Sequence, residues 1–244
     1  MGANDIDHRQ LVIGIVGGMG SYATVDLFRR MVDAFQAERD WERPRIIVDN
    51  YSTIPSRVRA ILYKEKVEEV IDCMSESADS LIHAGATDIL FACHTSHVFL
   101  PEVMERISTQ QAEVLNLLTM CRDECSKRGY SKVKLLASEG TIQTNIYGKT
   151  LSDLGTEIVS PDDIQLIQIR ELIEDVKQNR ISDKSLEDFK ALVMQNDVPT
   201  ILGCSELPVL YGKCMNVGIS IETPVIDPLQ NAIEYLSGKY YRSN

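Results

Sequence analysis

The chain has 244 residues, 44% of them hydrophobic and 25% charged, which is the profile of an ordinary soluble globular protein with enough length for one large core or two modest ones. Its 36 Asp and Glu outnumber 25 Lys and Arg, giving a formal charge of −11, and no basic run is present to follow a phosphate backbone, so nucleic acid is not an expected partner. The polar opening decapeptide, the lack of any apolar run of membrane-spanning length, and Ile6 where myristoylation wants Ser or Thr together set the expectation of a cytoplasmic protein with no membrane partner.

In chain order, strand-like apolar runs alternate with helical periodicity, the pattern of βαβ units and parallel sheets. A strand predicted at 11–16 runs into Gly14, Gly17, Gly18 and Gly20. This run departs from GxGxxG and lacks the Lys-Ser/Thr of a P-loop. Asp49 could imitate a ribose-binding carboxylate, but close backbone approach to a small ligand is the better use of the glycines. The next helix, 21–38, carries Val25, Phe28, Met31, Val32 and Phe35 at amphipathic spacings. A strand at 45–49 leads into Asn50-Tyr-Ser-Thr-Ile-Pro-Ser-Arg57, where open α/β sheets present ligand-contacting loops and where Arg57 could grip a carboxylate with two bonds.

A helix over 60–84 precedes a strand at 88–92, which ends in Cys93-His-Thr-Ser-His97. Next come a helix at 98–108, a strand at 112–116, a helix at 117–128, a strand at 132–137, a helix at 141–153 and a strand at 156–159. Helices at 162–179 and 183–195 lead to a strand at 199–203, which ends in Cys204-Ser-Glu206. A helix at 206–211, a strand at 224–226 and a helix at 228–238 complete the chain. Cys93 and Cys204 thus each lie at a predicted strand-to-helix turn, where N–H groups and the helix dipole favour a thiolate and attract a carboxylate. Of six cysteines, Cys73, Cys121, Cys125 and Cys214 read as packing residues, and all six as reduced thiols. Cys93, His94 and His97 match no familiar zinc spacing, and His97 reads equally well as a satisfied core histidine. Glu206 reads as a favourable charge at a helix N-terminus, and Lys177 as a cation near a helix C-terminus.

A weak internal repeat emerges when Ile13-Gly-Ile-Val-Gly-Gly-Met-Gly20 is laid over Val133-Lys-Leu-Leu-Ala-Ser-Glu-Gly140. Each half then runs strand, glycine turn, helical region, strand and cysteine, so two lobes facing across a cleft would each offer one thiol. The expected lobes are 1–116 with 226–244, and 117–225.

The first of those segments, together with Ile54-Pro-Ser-Arg57, Ala92-Cys-His-Thr-Ser-His97, Ser138-Glu-Gly-Thr-Ile142 with Tyr147, and Gly203-Cys-Ser-Glu-Leu-Pro208, resembles the aspartate/glutamate racemase family, specifically its aspartate racemase branch. The resemblance covers roughly residues 11–238. It implies an α/β fold of two pseudo-symmetric Rossmann-like lobes, each a mainly parallel sheet flanked by helices, with the active site in the cleft between them. It also implies a cofactor-independent, metal-free racemase, commonly a homodimer, that takes a small acidic amino acid, aspartate before glutamate. Cys93 and Cys204 match the catalytic pair. Met19, Gly20, Arg57, His94, Thr95, Thr141, Lys177 and Ser205 match substrate-binding positions, Arg57 and Lys177 being the cations near the thiols and the side-chain carboxylate.

Inverting an α-carbon needs a base on one face and an acid on the other, and two thiols serve both directions. Backbone N–H groups after each cysteine, with the Thr95 and Ser205 hydroxyls, are expected to stabilise charge on the α-carboxylate. One departure is His94, where the family usually has Asn; an imidazole is bulkier and titrates near neutrality, so a different substrate preference or pH dependence is expected. Alternatives within reach of the same residues are a cysteine-dependent isomerase or decarboxylase of the maleate isomerase kind, which lacks the Gly-Gly-Met-Gly start, and a non-catalytic homologue that binds acidic amino acids.

Overall fold

The computed structural model describes residues 11–107 and 112–242; the polar N-terminal decapeptide and the end of the helix expected at 98–108 lie outside them. Short runs rich in Val, Ile and Leu form eight strands in two four-stranded sheets, every pairing parallel. The first contains β1 (Val12–Val16), β2 (Arg45–Asp49), β3 (Asp88–Phe91) and β4 (Glu113–Leu115), in the order β2-β1-β3-β4. The second contains β5 (Lys132–Ala137), β6 (Glu157–Val159), β7 (Thr200–Gly203) and β8 (Val225–Ile226), in the order β6-β5-β7-β8. The orders are identical after a shift of four, so β3 and β7, the two strands that lead to cysteines, hold the same place in their sheets.

Parallel strands need crossovers, and helices supply them on both faces. The first sheet is covered by α1 (Ser21–Ala34), α2 (Arg57–Tyr63), α3 (Val67–His83) and α4 (Leu100–Arg106). The second has α5 (Leu117–Arg128), α6 (Glu139–Thr144), α7 (Ile146–Leu151), α8 (Asp163–Lys177), α9 (Asp183–Met194) and α10 (Leu207–Asn216). The final helix, α11 (Pro228–Arg242), returns to the first sheet, where Leu229, Ile233 and Leu236 pack with Ile13, Ile15 and Leu27. On that sheet's other face Val16, Ile89 and Phe91 meet Met74, Leu81 and Val103. The second sheet is sandwiched likewise, Leu136 and Leu202 against Leu172 and Phe189, and Val133, Leu135 and Ile201 against Cys121, Cys125 and Tyr147.

Local chemistry sets the helix ends. The Asn116 carboxamide accepts from the N–H groups of Leu118 and Thr119 to start α5, and Gly129 ends it in the left-handed region. Asp162 and Gln165 form a reciprocal capping box on α8. Lys134, buried on β5, points its ammonium at the carbonyls of Leu192, Val193 and Gln195 and closes the end of α9; burial pulls its pKa down to about 8.

Three expectations need correction. The helix expected over 60–84 is two helices, because Lys64 and Lys66 both adopt positive φ and break the run between α2 and α3. The one expected over 141–153 is broken at Asn145, also at positive φ, into α6 and α7. On α1 the buried stripe is Ala23, Thr24, Leu27 and Met31, while Val25 is 64% and Phe28 41% exposed. Spacing identified the helix, but with apolar residues on more than one face it did not fix which side meets the sheet. Among the described residues no helix is long and apolar enough to cross a membrane.

Candidate active site

Because each sheet is parallel, its loops after the strand carboxyl ends gather at one edge, and the two edges meet around a cavity of about 50 Å³. The first sheet supplies Met19 from the loop after β1, Ser56, Arg57 and Val58 from the start of α2, and Cys93 and Thr95 from the turn after β3. The second supplies Ser138 after β5, Ile173 and Lys177 on α8, and Cys204 and Glu206 after β7. Gly18, at φ +79°, makes the first loop possible: a side chain there would strike the Tyr51 and Ser52 backbone at 2.4–2.6 Å.

Both cysteines are free thiols, 6% and 7% exposed. After Cys93 the chain makes one 3-10 turn, Thr95–Val98, and then a short helix; after Cys204 it enters α10 directly. The Cys93 carbonyl accepts from Ser96 Oγ at 2.7 Å and from His97 Nδ1 at 2.9 Å. Since His97 Nε2 accepts the Leu117 N–H at 3.1 Å, its proton sits on Nδ1. Burial pulls the His97 pKa down to about 4, so this is a neutral histidine of the scaffold.

Six of the ten residues singled out in the sequence, Met19, Arg57, Cys93, Thr95, Lys177 and Cys204, line the cavity. The other four stand behind its wall. Gly20 packs against Glu206, and a Cβ there would fall 2.2 Å from Oε1. Thr141 hydrogen-bonds Thr95 at 3.0 Å, and both bond Ser138, at 3.1 and 2.8 Å, so three hydroxyls tie the two sheets' loops together. Ser205 donates to Glu206 Oε2 at 3.2 Å. His94 reaches across to Tyr147 on α7, with Nδ1 and the phenol oxygen 2.5 Å apart. Its Nε2 is buried with no hydrogen-bond partner among the described residues, and burial, reinforced by His97, pulls its pKa down to about 3. Among the described residues no cluster of His, Cys, Asp and Glu is placed to hold a metal ion.

Arg57 is anchored rather than loose. Its Nη1 donates to the carbonyls of Ile54 and Pro55, and Nη2 to that of Met19 at 2.7 Å. Nε is buried without a partner among the described residues, and the guanidinium is a permanent cation of a residue that lines the cavity. Lys177, at the other end, bonds Glu174 at 2.9 Å. Burial pulls its pKa down, but the charge of Glu206 and then the Glu174 bond outweigh that and leave it raised.

Sequence reading missed Ser56, Val58, Ser138, Ile173 and Glu206. Glu206 had a signal: a carboxylate two residues after a thiol predicted at a buried strand end. It is 2% exposed; Oε2 accepts from Cys204 Sγ at 2.9 Å, and Oε1 is buried without a partner among the described residues. Burial, and then the Glu206 charge, push the Cys204 thiol well above its ordinary value. Next door lies a larger cavity of about 380 Å³, which shares Ser56, Val58, Ser138, Ile173 and Lys177 with the first and adds Leu62, Tyr63 and Leu166.

The sequence profile of the Asp/Glu/hydantoin racemase family matches residues 16–236. A broad-specificity amino-acid racemase, RacX, from Bacillus subtilis (strain 168) is 26% identical over 223 residues, which are 88% of this chain and 92% of that protein. The structure of Picrophilus torridus aspartate racemase superposes with a TM-score of 0.79 at 26% identity, covering 95% of this chain and 94% of the other. An aspartate racemase homologue from Pyrococcus horikoshii OT3 shares the fold at 22% identity, with a TM-score of 0.71 over 94% of this chain and 98% of its own.

Proposed function

The chain belongs to the Asp/Glu/hydantoin racemase family, and from that premise we propose that it is a cofactor-independent racemase of acidic amino acids, aspartate before glutamate, using Cys93 and Cys204 as opposed acid and base. The observation that carries this reading is the meeting, on one cavity, of a thiol from each sheet with the permanent cation of Arg57. One thiolate removes the α-proton and the other thiol returns a proton to the opposite face, so no net proton is consumed. The weak acidity of the α-carbon is met by groups fixed in place before the reaction. Arg57, held by three carbonyls, brings a fixed positive charge to the cavity lining for a substrate carboxylate, and Lys177 adds a second cation to that lining.

Incubation of each aspartate and glutamate enantiomer with the protein, followed by chiral chromatography, tests the proposal. Interconversion that is lost in both Cys93→Ala and Cys204→Ala is expected. Failure to interconvert any acidic amino acid removes the substrate assignment, and near wild-type turnover in either variant removes the two-thiol mechanism.

The adjoining 380 Å³ cavity favours a second reading, a substrate with a larger side chain. Its Leu62, Tyr63, Leu166 and Ile173 offer apolar contact to a longer or aromatic group among the charged Arg59, Glu139, Arg170, Glu174 and Lys177 of the same lining, and the similarity to a relative described as broad in specificity agrees. Faster turnover of such amino acids than of aspartate in the same assay would select it.

A further inference from the structure

We propose that Glu206 is a positioning residue that keeps the Cys204 sulfur protonated in the free protein, so that the two thiols start unequal, Cys204 as the acid and Cys93 as the base. The assignment of roles rests on the two-thiol racemase reading above; the protonation of Cys204 does not. Sulfur and carboxylate oxygen approach to 2.9 Å, and two anions would not share that distance, so one proton lies between them. An ordinary thiol holds its proton about four units more tightly than an ordinary carboxylic acid, which places it on sulfur. The same oxygen accepts from Ser205, as a carboxylate would. Gly20 is what lets the carboxylate lie so close, because any side chain at that position would collide with Oε1.

The charged and titratable groups around Cys204 come from several elements. Glu206 lies on its own turn, Lys177 on α8, Cys93 and Arg57 across the cavity, and Tyr147 on α7 acts on it through space. Lys177 is already bonded to Glu174, so the carboxylate is the only charged group among the described residues in hydrogen-bond contact with the sulfur. The turn after β3 has no counterpart. Two residues beyond Cys93 stands Thr95, an uncharged hydroxyl bonded to Ser138 and Thr141. In the first half-reaction Cys93 gains the α-proton and Cys204 gives its own to the opposite face and is left as thiolate; the 2.9 Å contact with the carboxylate does not survive that loss, so sulfur and Glu206 separate until a proton returns.

The test is the pH dependence of alkylation by iodoacetamide, read peptide by peptide by mass spectrometry on the full chain, with Cys93 as the internal reference. In the wild type Cys204 is expected to react at least about tenfold more slowly than Cys93 near pH 7.5, with the higher midpoint, since a neighbouring like charge shifts a group by about one unit or more. Glu206→Gln, which keeps the shape and removes the charge, is expected to lower the Cys204 midpoint by about one unit and leave that of Cys93 in place. Glu206→Asp, which keeps the charge, is expected to stay near the wild type. A wild-type Cys204 midpoint at or below that of Cys93 overturns the proposal without any variant, and so does an unchanged midpoint in folded Glu206→Gln. Because alkylation needs no turnover, a shifted midpoint in a protein that racemises nothing supports the Glu206 effect while refuting the racemase reading.

Discussion

The turns after β3 and β7 occupy equivalent places in two sheets of the same strand order, yet in only one of them does a side chain bond the cysteine's sulfur among the described residues. In the first, the restraint is on the main chain: Ser96 and His97 both donate to the Cys93 carbonyl, and His97 is itself pinned by the Leu117 N–H. In the second, the Cys204 carbonyl takes the Leu207 N–H at 3.1 Å, and the sulfur is restrained as well, through Glu206. Repeating a backbone therefore repeats the geometry of a two-sided site without repeating its electrostatics. A pair of chemically identical side chains can be given different starting protonation by the residue two positions beyond each of them.

The largest effects should come from the thiols. Cys93→Ser and Cys204→Ser are each expected to lower racemisation by at least about 10³-fold, and each to abolish α-deuterium exchange of a different enantiomer in heavy water. Loss of exchange for the same enantiomer in both would break the picture of opposed faces. Arg57→Lys comes next, with about 10- to 100-fold lost from kcat/KM for aspartate, because an ammonium cannot reproduce the fork held by the Ile54, Pro55 and Met19 carbonyls. An equal loss for a neutral amino acid would show that the side-chain carboxylate is not what Arg57 reads.

His94 marks a third difference between the turns, since its counterpart Ser205 does not titrate in this range. Its folded pKa of about 3 lies below the ordinary 6.5, so the unfolded chain binds the proton more readily. Stability is full above about pH 6.5 and is lost as pH falls from there toward 3, at about 1.4 kcal/mol per unit. His94→Asn should consequently remove about 2 kcal/mol of the destabilisation the wild type suffers between pH 7.5 and pH 5, measured by urea unfolding at both values. Identical acid sensitivity in the two proteins would assign it elsewhere, His97 being the first candidate. The smallest effect is expected from Thr95→Val: about 1 kcal/mol of stability, because Ser138 and Thr141 still bond one another at 3.1 Å.

Much of this arrangement was legible in the chain. Eight strands read from apolar runs are all present, and both cysteines stand where β3 and β7 end, because a buried parallel strand has a plain signature. Facing was harder to read. Val25 and Phe28 fit an apolar stripe on α1 but point outward, since a helix with apolar residues on several sides is oriented by its neighbours. The break between α2 and α3 depends on two lysines in a conformation their side chains do not advertise. Ile173 and Val58 reach the cavity only through tertiary packing. Glu206 was visible as a charge at a helix start, and its contact with the thiol required knowing that the turn folds back on itself.

The small size of the cavity bears on access. At about 50 Å³ it is far below the roughly 300–1,000 Å³ usual for a small-molecule site, and it shares Ser56, Val58, Ser138, Ile173 and Lys177 with the adjoining 380 Å³ cavity, so a ligand larger than this space needs either that neighbour or a parting of the loops. Among the contacts that hold the loops together are the His94–Tyr147 bond and the hydroxyl triangle of Thr95, Ser138 and Thr141, each joining one sheet's loops to the other's. Parting the loops would break these hydrogen bonds, at about 0.5–1.5 kcal/mol each.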